Sequence, residues 1–234
     1  MTSQEAKQVL DKIVGQVFGY RNPYTLEQFQ QKYAFDVRLP SEVYDSTTGE
    51  KTWAASTNPT KFMTLTNTRK SFETNEGMLA KRDLPDIQSI LSAWNETNYT
   101  STERMFESLN VHESDCIYNC ENIYRCQDVN ASKNMVFCDG MQPGGNEFMA
   151  ASQRSRNSTY GIRIDDSQNI SNSFSVSWSN KVSHSLFMND CFDVTDSMFC
   201  SHIGGKQFCI ANMQFEEAEY RKLRDIVVRW ILTA

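Results

Sequence analysis

The sequence has no stretch of roughly 18 apolar residues, the length needed to cross a bilayer. Glu5, Lys7, Asp11 and Lys12 interrupt the first segment where a signal peptide would be apolar. Neither a membrane span nor an export signal is expected. A Lys/Arg cluster is also missing: 23 basic residues face 29 acidic ones, the net charge is -6, and direct binding of nucleic acid is not expected. Of the three histidines, His112, His184 and His202, none stands in a Ser/His/Asp or Cys/His motif. Phosphate loops, dinucleotide fingerprints and CxxC pairs are lacking too. No catalytic residue, metal ligand or cofactor is therefore assigned.

What remains is polar but able to fold. Apolar residues make up 39% and aromatics 12% of 234 residues, enough for a core of ordinary size. The seven cysteines are an odd number, which fits a reducing site of synthesis. Five Asn-X-Ser/Thr sequons, at Asn95, Asn98, Asn130, Asn157 and Asn169, read as chance matches in a chain rich in these residues.

Residues 1–110 read as a small mixed α/β region. Thr2 and Glu5 suit a capping box before a helix with Leu10, Ile13, Val14, Val17 and Phe18 on one face, which Pro23 stops. Thr25 and Gln28 start a second helix, with Leu26, Phe29 and Tyr33 as its stripe. The alternation Phe35, Val37, Leu39 predicts a strand ended by Pro40, and Asp45 to Gly49 a turn leading to Thr52 and Trp53. After a less readable stretch, residues 54–82, a helix opens at Asp86 with Ile87, Ile90, Leu91 and Trp94 at helical spacing; Ser101 to Leu109 suggests another short one. Irregular stretches of this length often lie on partners. Phe35, Val37, Leu39, Trp53 and, at the far end, Trp230 are the candidate docking residues.

From residue 111 to 212 the pattern repeats every 12 residues. Val111, Ile123 and Met135 share one column, Ser114, Cys126 and Cys138 a second, and Ile117, Val129 and Met141 a third. After an interruption at Gln142 to Glu147, the segments from Ile170, Val182 and Val194 superimpose position for position. Such a period marks a parallel β-solenoid, in which each unit buries its apolar face only against a neighbour. Apolar residues two apart suggest strands with one inward face, so the interior is expected to hold Phe174, Val176, Leu186, Met188, Met198 and Cys200 with Ile123, Cys126 and Cys138. A turn of 12 residues or a wider one of 24 both suit the spacing. Residues 213–234 form an amphipathic helix with Tyr220, Leu223, Val227, Trp230 and Ile231 on its stripe, expected to cap the open end or to dock on another subunit. The fold class is mainly β: a small mixed region, a β-solenoid and a terminal helix.

The cysteines read as interior packing, with zinc binding or later oxidation to disulfides as alternatives. Asp165, Asp166, Asp190, Asp193 and Asp196 raise the possibility of a sugar-cleaving acid pair, but their spacing reads more simply as corner chemistry.

The segments Phe35-Asp-Val-Arg-Leu-Pro40, Tyr44-Asp-Ser-Thr-Thr-Gly-Glu50 with Thr52 and Trp53, Thr102-Glu-Arg-Met105 and Ser114-Asp-Cys-Ile-Tyr118 resemble uncharacterised structural proteins of contractile-tailed bacteriophages, notably those of marine cyanobacteria. Cys200-Ser-His-Ile203, Lys206-Gln-Phe-Cys-Ile-Ala-Asn-Met213 and Glu216-Glu-Ala-Glu-Tyr220 look like the Cys-rich coil ending of such proteins. The resemblance implies a virion component of the head surface, neck or tail, made in the host cytoplasm, present in several copies and bound to other virion subunits. It carries no catalytic residues. A host-glycan-binding module, favoured by aromatics such as Tyr118, Tyr124 and Trp178 on one flank, is the second expectation, and a polysaccharide-cleaving enzyme the third.

Overall fold

Parallel strands offset by 12 residues build the molecule. In the computed structural model, which describes residues 1–55, 61–75 and 77–233, the chain between residues 105 and 210 winds into a β-solenoid of about 9 turns. Val111 pairs with Ile123 and Ile123 with Met135, while Phe174 pairs with Leu186 and Leu186 with Met198. One turn is thus 12 residues, and the 24-residue alternative is excluded. The coil begins at Met105, which pairs with Ile117, upstream of the expected boundary at Val111. At the rod spacing of about 4.8 Å per rung, nine turns span roughly 40 Å. The interruption at Gln142 to Glu147 is a bulge: Lys133 pairs with Glu147, and Gly144 (φ 145) and Gly145 (φ 85) take up the extra length in backbone shapes that favour glycine.

Within a turn, every third residue is left-handed, as in Asn110, Glu113, Cys116 and Asn119, or Asn172, Ser175, Trp178 and Lys181. Each bends the chain, and the residue that follows enters the interior, as Ile117, Cys120, Ile123 and Cys126 do. This geometry costs an L-residue roughly 1–2 kcal/mol, least for Asn and Asp. It explains why Asn110, Asn122 and Asn134 stack in one column, their side-chain amides bonded at 2.8 and 3.0 Å.

It also corrects the expected interior. Ile123, Cys126 and Cys138 are fully buried inside the coil, and Val176, Met188 and Cys200 line it too. Phe174, Leu186 and Met198, however, face outward into a second core beneath the helices. The left-handed residue between the two members of each pair, Ser175, Phe187 or Phe199, sends residues two apart to opposite sides of the wall. The repeat is a run of triplets rather than a strand of period two.

Interior polar residues satisfy the backbone at the bends. The Ser173 hydroxyl donates to the Ser171 carbonyl (2.7 Å) and accepts from the Ser185 N–H one turn on (3.2 Å). Ser185 does the same for Ser197 (3.1 Å), and Ser197 for Cys209 (3.1 Å). Ser167 and Ser179 form a second ladder ending on the N–H of Cys191. A thiol can replace the hydroxyl: Cys126 Sγ donates to the Tyr124 carbonyl and accepts from the Cys138 N–H (both 3.2 Å). Serine and cysteine therefore recur inside the coil because each both donates and accepts along the axis.

Helices α1 (Ser3–Phe18), α2 (Leu26–Tyr33) and α5 (Glu217–Thr233) cover one side of the solenoid. The capping boxes at Thr2/Glu5 and Thr25/Gln28 are present, and left-handed Gly19 ends α1 before Pro23 is reached. Leu10, Ile13, Val14 and Val17 are buried against outward residues of the coil, and the Phe18 and Tyr33 rings sit 5.3 and 5.6 Å from Phe174. Helix α5 begins beside the last turn, with Tyr220 5.6 Å from Phe208, then runs back along the flank until Trp230 is 6.2 Å from Phe187. The Tyr24 hydroxyl bonds the carbonyls of Ile231 and Leu232 at its end (3.0 and 2.9 Å). Gly204–Gln207 in the final turn stay exposed, so α5 is a flank brace more than a lid.

The intervening segment forms a module at the first turn. Strands β1 (Ser41–Tyr44) and β2 (Lys51–Ala54) make a hairpin, β3 (Phe62–Thr64) pairs in parallel with β4 (Thr100–Thr102), and helices α3 (Leu65–Thr74) and α4 (Ile87–Thr97) lie between them in sequence. Two expectations are overturned here. Phe35, Val37 and Leu39 form no strand: Val37 N–H bonds back to Ala34 in a turn (3.2 Å), held by Arg163, whose guanidinium grips the Tyr33 carbonyl and the Asp36 carboxylate (2.6 to 2.8 Å). Ser101 to Leu109 is not a helix but β4 and the first solenoid strands, because its register with Phe62–Thr64 and Ile117 wins over local propensity.

Candidate interaction surfaces

Asp45 organises the module. Its buried carboxylate accepts from the N–H groups of Thr47 and Thr64 (2.8 Å each), the Asn67 amide (2.9 Å) and the Thr47 hydroxyl. Burial alone would raise its pKa, but these donors win and hold it far below the usual carboxylate range. A second buried carboxylate, Asp115, ties the module to the coil: Arg104 grips it with two nitrogens (3.0 and 2.7 Å), and the Ala55 N–H adds a bond at 2.8 Å. Thr52 and Thr102 share a buried hydroxyl contact at 2.7 Å.

The predicted docking residues divide. Trp53 is buried in this junction with the Arg125 guanidinium 5.1 Å over its ring, and Val37 and Leu39 pack into the core beneath the helices. None of these three is a free docking residue. Phe35 is exposed beneath Arg163, and Trp230 is 55% exposed on α5.

A larger apolar surface lies on residues whose stripe alone did not reveal it. Asp86 caps α4 through Ser89, yet α4 buries nothing: Ile87, Ile90, Leu91 and Trp94 are all exposed. Helix α3 buries nothing either, and Phe72 and Met78 are about three-quarters exposed at 76% and 77%. A groove of about 710 Å³, lined by Met63, Phe72, Met78, Leu79 and Tyr99 among others, runs beside them. Amphipathic spacing says that a helix has an apolar face; it cannot say whether the same chain covers it.

The remaining candidates for chemistry are engaged elsewhere. Arg154 holds Asp165 and Asp166 (2.5 and 2.7 Å), His202 holds Asp190 (2.7 Å), Arg221 holds Asp196 (2.7 Å), and Asp193 sits at a left-handed bend. All seven cysteines are buried and unpaired. Burial raises the thiol of Cys126, and burial with the nearby Asp115 charge pushes Cys116 up to about 12, so both stay protonated and unreactive at neutral pH. Among the described residues no group of three His, Cys, Asp or Glu could hold a metal ion, and no helix is long and apolar enough to cross a membrane. The aromatics expected on one flank separate as well: Tyr124 is buried under the helices, Tyr118 stacks on Phe106 at 5.4 Å, and Trp178 stands in solvent.

The fold defines the class: a parallel β-solenoid with 12-residue turns, braced by helices on one flank. No known protein family, curated protein or solved structure matches the chain.

Proposed function

We propose that this chain is a non-enzymatic structural protein of a contractile-tailed phage particle, a head-decorating, neck or tail component that docks on another virion subunit through α3 and α4. The observation that carries the docking is the exposed stripe Ile87, Ile90, Leu91 and Trp94. A helix of 11 residues is marginal in water without a packed face. The occupant is an apolar protein surface. No charged side chain lies between Ile87 and Asn95, and the one charge on α4, Glu96, is an acid paired with Arg82, so α4 offers no cation for a phosphate of a lipid headgroup or nucleic acid. The assignment to a particle draws on the motif resemblance and on the stiffness of the rod.

Mass spectrometry of purified particles is expected to find the chain in fixed copy number. Its absence would overturn the virion reading. Leu91→Gln with Trp94→Gln is expected to change folding stability by no more than about 1 kcal/mol, because both positions are exposed and glutamine keeps good helix propensity without adding charge. The same variant is expected to be missing from particles; unaltered incorporation would remove α4 as the docking face.

A further inference from the structure

The two sides of the solenoid use their left-handed positions differently. On the helix side these include aromatic residues, among them Phe137, Phe148, Phe187 and Phe208, and each of those four is packed in or against the covering core. On the bare flank they hold residues such as Asp128, Gly140, Asp166, Asn157 and Asn169. Trp178 (φ 54) is the one Phe, Tyr or Trp at a left-handed position on that flank among the described residues. It is 63% exposed and belongs to neither core. A strained position filled by a large ring that gains no burial suggests a role outside folding.

Trp178 lies in a shallow groove of about 240 Å³ with Phe192, another exposed ring, and the planar side chains of Gln142, Gln168, Asn180 and Arg156. Arg154 and Asp166 line the groove as well, and the charge of Arg154 is matched by Asp166 and by Asp165. Arg156 bonds only the neutral Gln168 amide and has no carboxylate partner among the described residues.

We propose that this groove binds an acidic saccharide. A pyranose offers an apolar C–H face that fits an exposed indole, ring hydroxyls that suit the amides of Gln142 and Asn180, and a carboxylate that Arg156 can pair. The site needs neither the particle assignment nor the α4 surface, so either can fail without touching it.

The test is titration of the full chain with oligogalacturonate, oligomannuronate and sialyllactose, followed by tryptophan fluorescence and calorimetry. The methyl ester of each binding acid serves as its neutral counterpart. At least one acid is expected to bind. Trp178→Ala and Arg156→Gln are each expected to weaken it by about tenfold, and the ester should match the Arg156→Gln loss. Circular dichroism of both variants should be unchanged. Failure of all three acids to bind, equal binding of acid and ester, or undiminished binding by Trp178→Ala would each overturn the proposal.

Discussion

In the solenoid, Ile123, Met135 and Met149 are wholly buried, and the serine hydroxyls between turns both donate and accept. In residues 61–102, α3 and α4 bury no side chain, and their order depends on a polar centre at Asp45 and on the junction at Asp115. The coil's interior is closed because each turn covers the last, and its outward apolar residues are covered by α1, α2 and α5. The module is finished on one side only, where it meets the coil, and its other side is left apolar. That contrast separates a part whose apolar faces are covered within the chain from a part whose apolar face is left exposed, and it can be broken at either end.

The largest effect is expected inside the coil. Ile123→Ala removes a wholly buried side chain between stacked turns and should cost about 2–5 kcal/mol. A urea midpoint close to that of the parent chain would show that the interior is not the main source of stability. A smaller loss, about 1–3 kcal/mol, is expected for Ser179→Ala, which leaves the Cys191 N–H without an acceptor. Ser179→Cys should restore part of it, since cysteine fills the same role at Cys126. If alanine and cysteine behave alike, the ladder is packing rather than hydrogen bonding.

The smallest effect is local and depends on pH. The folded state holds the Asp45 pKa below its unfolded value, so the stabilisation is complete above about pH 4 and fades as pH falls through the folded value. Hydrogen-exchange protection factors, which divide out the slower intrinsic exchange in acid, should therefore fall in residues 41–55 and 61–75 on acidification while the solenoid amides stay protected, and Asp45→Asn should abolish that dependence. Equal acid sensitivity in coil and module would erase the contrast between them.

Much of this was legible in the residues. The columns through Val111, Ile123 and Met135 specify both the coil and its period, because stacked turns must place like side chains in register. The capping boxes at Thr2 and Thr25 fix where two helices begin, because they are local. The width of a turn was not decided, and neither was the side of the wall taken by Phe174, Leu186 and Met198. Those depend on backbone shape at Ser175, Phe187 and Phe199, residues with no strong left-handed preference of their own, where parallel pairing and helix cover impose the bend. The strand expected at Phe35 to Leu39 gave way to Arg163, a contact 127 residues away.

The groove at Trp178 and the bare α4 face belong to the same group, since both depend on what the folded chain leaves uncovered. The sequence by itself determined the repeat, its period and the residue types able to stand inside it, because these are set by spacing and by local hydrogen-bonding capacity. Only the tertiary structure decided which apolar residues are interior, which are covered and which are left exposed, because burial is a property of the neighbours that long-range packing brings.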